Sequence, residues 1–279
     1  MDDYVFLALT SSLVPNTVVQ MISLLLLVLA RLTPIIALAP FFGAKILPHP
    51  TKVALAISLF VIFLPQLLLT ITTPLAFNIH LMLLIVKEMF IGTAMGFMVG
   101  LPFFIAQNAG VIVDHQRGGA SLMVNDPTIQ NQSSPLGTLN NLVFIFIFFF
   151  VNGPILFIEV ISESYSILPP DKFLSYLFWT GDSPFWVTII HILNKMMVLS
   201  VQLASPGLVM LLMTSVFLGI ANRLAPQVQI TFLGLPLKSL LALTVICFGW
   251  KAFSKYLGEF GLVWIHTMRE FIQTFAIGT

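Results

Sequence analysis

Phe144-Ile145-Phe146-Ile147-Phe148-Phe149-Phe150 is apolar at every position. A surface helix would keep a polar face and a half-buried strand would alternate; this run does neither. Leu24-Leu25-Leu26-Leu27-Val28-Leu29 behaves the same way. Strands of a membrane barrel alternate apolar and polar over about 10 residues, so both runs point to helices surrounded by apolar material. The stretches Tyr4–Ala30, Val53–Val86, Pro127–Ile158 and Met196–Asn222 contain no Asp, Glu, Lys or Arg. Each exceeds the roughly 20 residues a helix needs to cross a bilayer. Leu81–Val113 is similar apart from Lys87 and Glu88, and Thr231–Trp250 apart from Lys238. The spacing predicts six spans, near 18–42, 53–72, 81–113, 138–161, 187–221 and 231–256.

Composition agrees. Of 279 residues, 58% are hydrophobic and 8% are charged, against about 25% charged in soluble domains. That excludes an ordinary soluble enzyme. The net charge of +1 offers no phosphate-neutralising surface, so no nucleic acid is expected as a partner. Cys247, the single cysteine, excludes an internal disulfide. The chain is expected to be an all-α integral membrane protein of about six kinked hydrophobic helices arranged as hairpins. Met1-Asp2-Asp3-Tyr4 is acidic where a signal peptide is basic, so the first span is expected to stay.

Lys45, Lys52, Arg117, Arg223 and Lys238 fall in the connectors after spans one, three and five, and only Lys172 in those after spans two and four. The positive-inside rule then places the first set in the cytoplasm and the N-terminus outside. Lys251, Lys255 and Arg269 follow span six and break the pattern, leaving the side of the C-terminus open. Leu257–Phe275 is amphipathic, with Phe260, Val263, Trp264, Thr267, Met268 and Phe271 at helical spacing, and is read as lying along an interface or re-entering.

Several features are unusual for a simple bundle. Gly92, Gly96 and Gly100 share one face of span three, where glycine lets another backbone approach closely. That approach serves either packing within the chain or a contact between subunits. Pro102 follows and predicts a kink. Pro34, Pro65, Pro154, Pro206 and Pro236 mark the other spans. The 33 residues of Leu81–Val113 would span about 50 Å as a helix, more than one bilayer thickness. Lys87 and Glu88 lie inside this span and Arg31 inside the first. Intramembrane charges have partners or reach water. Adjacent helical positions do not face each other, so Lys87 and Glu88 are not expected to pair. Glu88 is expected to meet Arg31 or a cation of a partner subunit, or else to snorkel to the interface.

The insert Gln107–Asn141 is polar, with turn signals at Gly118-Gly119 and Asp126-Pro127 and an apolar tip, Leu122-Met123-Val124. It is read either as a cytoplasmic loop or as a re-entrant segment lining a passage, and the apolar tip favours the second. Asp114 and Asp126 allow a carboxylate pair for chemistry, but Asp beside Gly or Pro more often caps a turn. No catalytic, nucleotide or cofactor motif is present. The histidines, His49, His80, His115, His191 and His266, sit in separate segments unsuited to a metal site.

Two stretches resemble a known family. One is Lys87–Pro127, with its glycine-spaced span and amide-rich turn. The other is Gly219-Ile220-Ala221-Asn222-Arg223-Leu224-Ala225-Pro226-Gln227-Val228-Gln229-Ile230, continued by Phe232-Leu233-Gly234-Leu235-Pro236. They resemble the FliR/SctT family of the type III secretion export apparatus. Ala204–Lys238 is similar to the two-helix FliQ/SctS subunit. The resemblance implies a FliP-like part over 1–175 that contains the polar loop 107–141, and a FliQ-like hairpin with an amphipathic tail over 176–279. It implies a multi-pass protein of the bacterial inner membrane, without cofactor, metal or enzymatic activity. Its partners would be FliP/SctR-type, FliQ/SctS-type and FlhB/SctU-type subunits, forming a gate through which unfolded proteins are exported. General resemblance leans to the injectisome over the flagellum.

By position, the family's plug loop maps onto Arg117, Gly118, Ser121, Leu122, Met123, Val124, Asn125, Asp126 and Pro127. Family members often carry aromatics near the tip, whereas this chain has Leu122-Met123-Val124; a thioether among aliphatics still adapts its shape to a seal. Asn222, Arg223, Pro226 and Gln227 would face the cytoplasm and meet the FlhB/SctU-type subunit. The rival reading is a small-solute transporter or ion channel. Transporters show two matching halves with discontinuous helices, and none are evident. A membrane enzyme has no supporting motif.

Overall fold

A computed structural model of the chain describes residues 17–42, 48–118, 134–174, 178, 183–224 and 230–276. Every regular element among them is helical. They are α1 (Thr17–Leu38), a 3-10 turn (Pro40–Phe42), α2 (His49–Thr70), α3 (Ile79–Gln116), α4 (Pro135–Phe150), α5 (Gly153–Ile167), α6 (Pro184–Leu224) and α7 (Ile230–Ala276).

Prolines placed in first turns start several of these helices: Pro50 in α2, Pro135 in α4 and Pro154 in α5. A first-turn proline lacks only an N–H that would have had no partner. The span expected at 138–161 is therefore two helices, and Pro154 marks a start instead of interrupting a span. The break falls at Asn152, whose left-handed backbone (φ 57°, ψ 25°) is one asparagine tolerates. In contrast, α3 runs unbroken through Pro102 for 38 residues, α6 through Pro206 for 41, and α7 through Pro236 for 47. At 1.5 Å per residue these are about 57, 62 and 70 Å long, against about 30 Å of hydrocarbon. Leu257–Phe275 is neither a separate interfacial helix nor a re-entrant piece. It is the last part of α7, and it buries Trp264, Ile265, Met268, Phe271, Ile272 and Phe275.

A proline inside a helix frees the carbonyl four residues before it, and in an apolar setting that carbonyl needs another donor. Met98 is left free by Pro102, and its oxygen accepts from the Trp264 indole N–H at 2.9 Å. Gln202 is left free by Pro206 and accepts from the Ser205 hydroxyl at 2.7 Å. Helical hydroxyls bond backward in the same way. Ser23 donates to Val19 O, Thr93 to Met89 O and Thr214 to Met210 O, so no unpaired hydroxyl faces apolar surroundings there.

The chain packs as two units: Met1–Leu101 with Asn152–His191 and Val263–Thr279, and Pro102–Val151 with Ile192–Leu262. In the first, Leu24, Leu27, Val28, Leu32 and Ile35 form the buried stripe of α1 at helical spacing; α1 packs on α2, which buries Leu59, Phe63 and Leu67, and α2 packs on α5, which buries Phe157, Val160 and Ile161. Phe178, Phe185, Phe271 and Phe275 pack together with centroids 4.7–5.9 Å apart. In the second, Ala109, Val113, Leu136, Ala204, Leu211 and Ala242 form the core, beside Phe103 packed at an angle on Phe144 and edge-on to Phe148. Large apolar side chains such as Val61, Phe150, Phe217 and Phe248 point outward. That arrangement suits a chain bordered by lipid or by other subunits.

Candidate functional site

The first unit is organised around a fully buried charge cluster. Arg31 and Glu88 are both 0% exposed. Arg31 forks onto Glu88 through Nε, and through Nη2 to Oε1 at 2.9 Å. Its remaining donors cap the end of α5: Nη1 to Ser164 O at 3.1 Å and Ser164 Oγ at 3.2 Å, and Nη2 to Leu168 O at 2.9 Å. The Ser164 carbonyl also accepts from the Leu168 N–H at 2.9 Å, and the end of a helix carries the negative end of its dipole, so a guanidinium suits this place. The guanidinium carbon also lies 4.2 Å over the centre of the Tyr165 ring, a favourable stacking for a desolvated cation.

Lys87 completes the cluster. Its ammonium contacts Glu88, although neighbouring positions diverge by about 100° around a helix. The expectation that the two would not pair is thus corrected: the lysine stem is long enough to curl back. Lys87 Nζ also donates to the carbonyls of Pro169 (3.3 Å), Pro170 (3.1 Å) and Lys172 (2.9 Å). These carbonyls belong to a proline-rich turn with no helix to occupy them. The result joins α1, α3, α5 and the connector after α5, and none of the three charges snorkels.

Close backbone approach makes the cluster possible. A Cβ on Gly92 would sit 2.2 Å from Arg31 O, and one on Gly96 2.9 Å from Pro34 O. Two of the three spaced glycines therefore serve α1–α3 packing within the chain. Gly100 is buried on the same face.

The connectors after α2 and α5 are tied by Asp171. Its Oδ2 accepts from the backbone N–H groups of Thr72 and Thr73, both at 3.0 Å, and from their hydroxyls at 3.2 and 3.1 Å. Burial pushes the Asp171 carboxyl up, and these hydrogen bonds pull it down by more, so it rests below its ordinary value. A lowered carboxylate stabilises the fold above its unfolded pKa, near 3.9, and that contribution is lost as pH falls through the folded value. Hydrogen-exchange protection of the Thr72 and Thr73 amides is expected to hold from neutral pH to about 4 and to fall below it. In Asp171→Asn it should be low throughout. Protection that ignores both acid and the substitution would refute this anchoring.

In the second unit the polar insert 107–141 is not all loop: 107–116 belong to α3 and 135–141 to α4, and these helices hold its two ends. Asp114 Oδ2 accepts from Ser134 Oγ, and from the Leu136 N–H at 2.9 Å. Ser134 caps α4 by accepting from the Gly137 N–H at 2.9 Å. Asp114 Oδ1 pairs with Arg117 Nη2 at 2.7 Å. The helices touch at backbone distance, since a Cβ on Gly110 would lie 2.5 Å from Gly137 N and Leu136 C. Gly118 has φ 91° and ends the stem beside Leu235; the left-handed backbone suits glycine. Asp114 acts as a cap across the stem, the turn-capping role.

Of the residues expected to form a plug, Arg117 and Gly118 stand at this root, while Ser121, Leu122, Met123, Val124, Asn125, Asp126 and Pro127 lie outside the described residues. Asn222 and Arg223 are exposed in the last turn of α6, and Pro226 and Gln227 lie outside the described residues. Ser164, Tyr165, Asp171 and the Asp114–Ser134 clasp were not singled out as sites. Ser134-Pro135 is a helix-start signal that would have located the clasp. Nothing local marks the carbonyls that Arg31 and Lys87 seek.

Similarity to known proteins covers both sites. The family model for bacterial export proteins, family 1, matches residues 22–260. The surface presentation of antigens protein SpaR of Shigella flexneri is 34% identical over 188 residues, covering 64% of this chain and 69% of SpaR. Yop proteins translocation protein T of Yersinia pestis is 31% identical over 163 residues, covering 58% and 60%. The flagellar biosynthetic protein FliR of Bacillus subtilis is 28% identical over 225 residues, covering 80% and 84%. Because the matched stretch begins within α1 and ends within α7, taking in the Arg31–Glu88 pair and the loop stem alike, the chain belongs to bacterial export protein family 1, the FliR/SctT family of type III secretion export proteins.

Proposed function

We propose that this multi-pass membrane protein is a core subunit of the export gate in the bacterial inner membrane, helping to form and close the pore through which unfolded proteins leave. The observation that carries this reading is the stem of the polar loop. Asp114, Ser134 and the Gly110–Gly137 contact hold together the two helix ends from which the loop leaves and to which it returns, and the sequence between them carries the apolar Leu122-Met123-Val124. Aliphatic and thioether side chains at a constriction exclude water and ions until something displaces them.

The hairpin topology supports the same reading. Asp171 ties together the connectors after α2 and α5, which lysine and arginine placement puts on one side, outside. Phe275, near the end of α7, stacks on Phe178 of the second of these connectors, so the end of α7 belongs outside too. The exposed Asn222 and Arg223 end α6 on the cytoplasmic side, available to a FlhB/SctU-type subunit. FliP/SctR-type and FliQ/SctS-type subunits would cover the outward apolar surfaces. The FliP-like (1–175) and FliQ-like (176–279) division is a proposal about sequence likeness and separate from how the chain packs.

The test is deletion of Ser121–Asn125 in the assembled apparatus. Membranes carrying it are expected to leak small ions, with the complex intact by native mass. An intact complex no leakier than the parent would sink the plug role.

A further inference from the structure

The first unit has two unlike outer surfaces at one height. Contacts set the height: Arg31 of α1 meets Glu88 of α3 and Ser164 of α5, and Gln66 of α2 donates to Ser162 O (2.9 Å) and Ser166 Oγ (2.8 Å) of α5. Near this level α2 exposes Val61, and beyond it, toward the starts of α1 and α3, those helices expose Val18, Ile22, Met82, Leu83 and Val86. This is a broad apolar belt of the kind lipid or apolar protein covers.

On α5, Glu159, Ser162, Glu163 and Ser166 fall at helical spacing on the face turned away from the core. Beside them, the end of α7 turns His266, Glu270 and Gln273 outward. Arg269 bridges the two helices, 3.5 Å from Glu159 and 3.3 Å from Glu163. One guanidinium shared by two carboxylates leaves negative charge on this face. Because the apolar belt continues past this level on the other side, the polar face does not simply stand above the headgroups. At such depth, carboxylates require water or a polar partner. A subunit interface would bring aromatic anchors and few charges to its centre, whereas this face offers hydroxyls, amides and uncompensated acid.

We infer that the α5 and α7 face around Glu159, Glu163 and Gln273 is a wetted wall of the passage taken by the exported chain. A surface rich in small hydroxyls and hydrated carboxylates gives a sliding unfolded segment no apolar pocket to lodge in. The inference rests on the export-gate reading and adds which surface of this subunit lines the route.

The experiment is thiol labelling in assembled complexes in native membranes, starting from Cys247→Ser. Single cysteines replace Ser162, Ser166 or Gln273, with Val61, Met82 and Val86 as the apolar controls. A charged, membrane-impermeant maleimide reacts with thiolate, which forms in water, so the polar-face positions should label about tenfold faster than the controls. An export substrate arrested by a folded fusion should slow that labelling and leave the controls unchanged. Labelling at control rates would mean the face is covered and would overturn the inference. So would fast labelling indifferent to the arrested substrate, the outcome for a wet face off the route or at headgroup level. Failure of the gate reading has its own signature: the arrested substrate would not co-purify with the complex.

Discussion

Glu88→Gln is expected to remove most of the chain from the membrane. Arg31 is wholly buried and places two of its hydrogen bonds on the Glu88 carboxylate, and Lys87 leans on the same group. Glutamine keeps the shape but withdraws the charge, leaving two buried cations with no counter-ion. Breaking a buried pair by removing one partner costs about 3–5 kcal/mol, a large fraction of the 5–15 kcal/mol that holds a typical domain together. Such a loss should show as a lower melting temperature in detergent and as poor recovery of the assembled complex. Arg31→Met with Glu88→Leu should recover part of the loss, because exchanging both charges for apolar groups removes the desolvation penalty. Recovery should be incomplete: Ser164 and Leu168 would lose the donor that caps α5, while Lys87 would keep its three carbonyls. A Glu88→Gln chain as stable as the parent would refute the cluster as a structural keystone.

The second large effect is expected from one methyl group. In Gly92→Ala the new Cβ would lie 2.2 Å from Arg31 O, 2.9 Å from Arg31 C and 3.0 Å from Arg31 Cα. All are backbone atoms, so no rotamer relieves the clash and α1 must move off α3. Overpacking of a well-filled interior costs about 1–3 kcal/mol. This case should fall at or above the top of that range, because moving Arg31 also spoils its fork onto Glu88. Gly249→Ala is the matched control. Nothing lies within 4 Å of its Cβ, and alanine within a helix is favoured by up to about 1 kcal/mol, so that variant should be neutral or slightly stabilised. Thermal unfolding of both in one detergent gives the comparison. Equal stability for the two variants would show that α1 and α3 do not depend on this contact.

Much of this chain is legible without tertiary information. The phenylalanine run, the leucine run and the charge-free stretches identify membrane helices, because length and apolarity are local quantities. Gly92 and Gly96 are visible as a packing face for the same reason. Two local readings failed instructively. The stretch 138–161 looks continuous because both halves are equally apolar, and the signal for the break was Asn152 followed by Pro154, a left-handed residue and a helix start. The amphipathic stretch 257–275 looked like an interfacial segment because a buried stripe and a lipid-facing stripe have the same period. Its partners, such as Met98 for Trp264, lie 166 positions away.

By itself, then, the sequence determined the class of the protein, its helices and the fact that three charges sit among them. The folded structure alone decided where those charges go. Arg31 meets Glu88 and caps α5, Lys87 holds the turn after it, Asp171 ties two distant connectors, and Asp114 clasps the loop root. The physical reason is one of range. Hydrophobic length and helical period are set by neighbours along the chain. The partners of a buried charge or an unpaired carbonyl are whichever groups packing brings within hydrogen-bond distance, and those here are mostly tens of residues or more away.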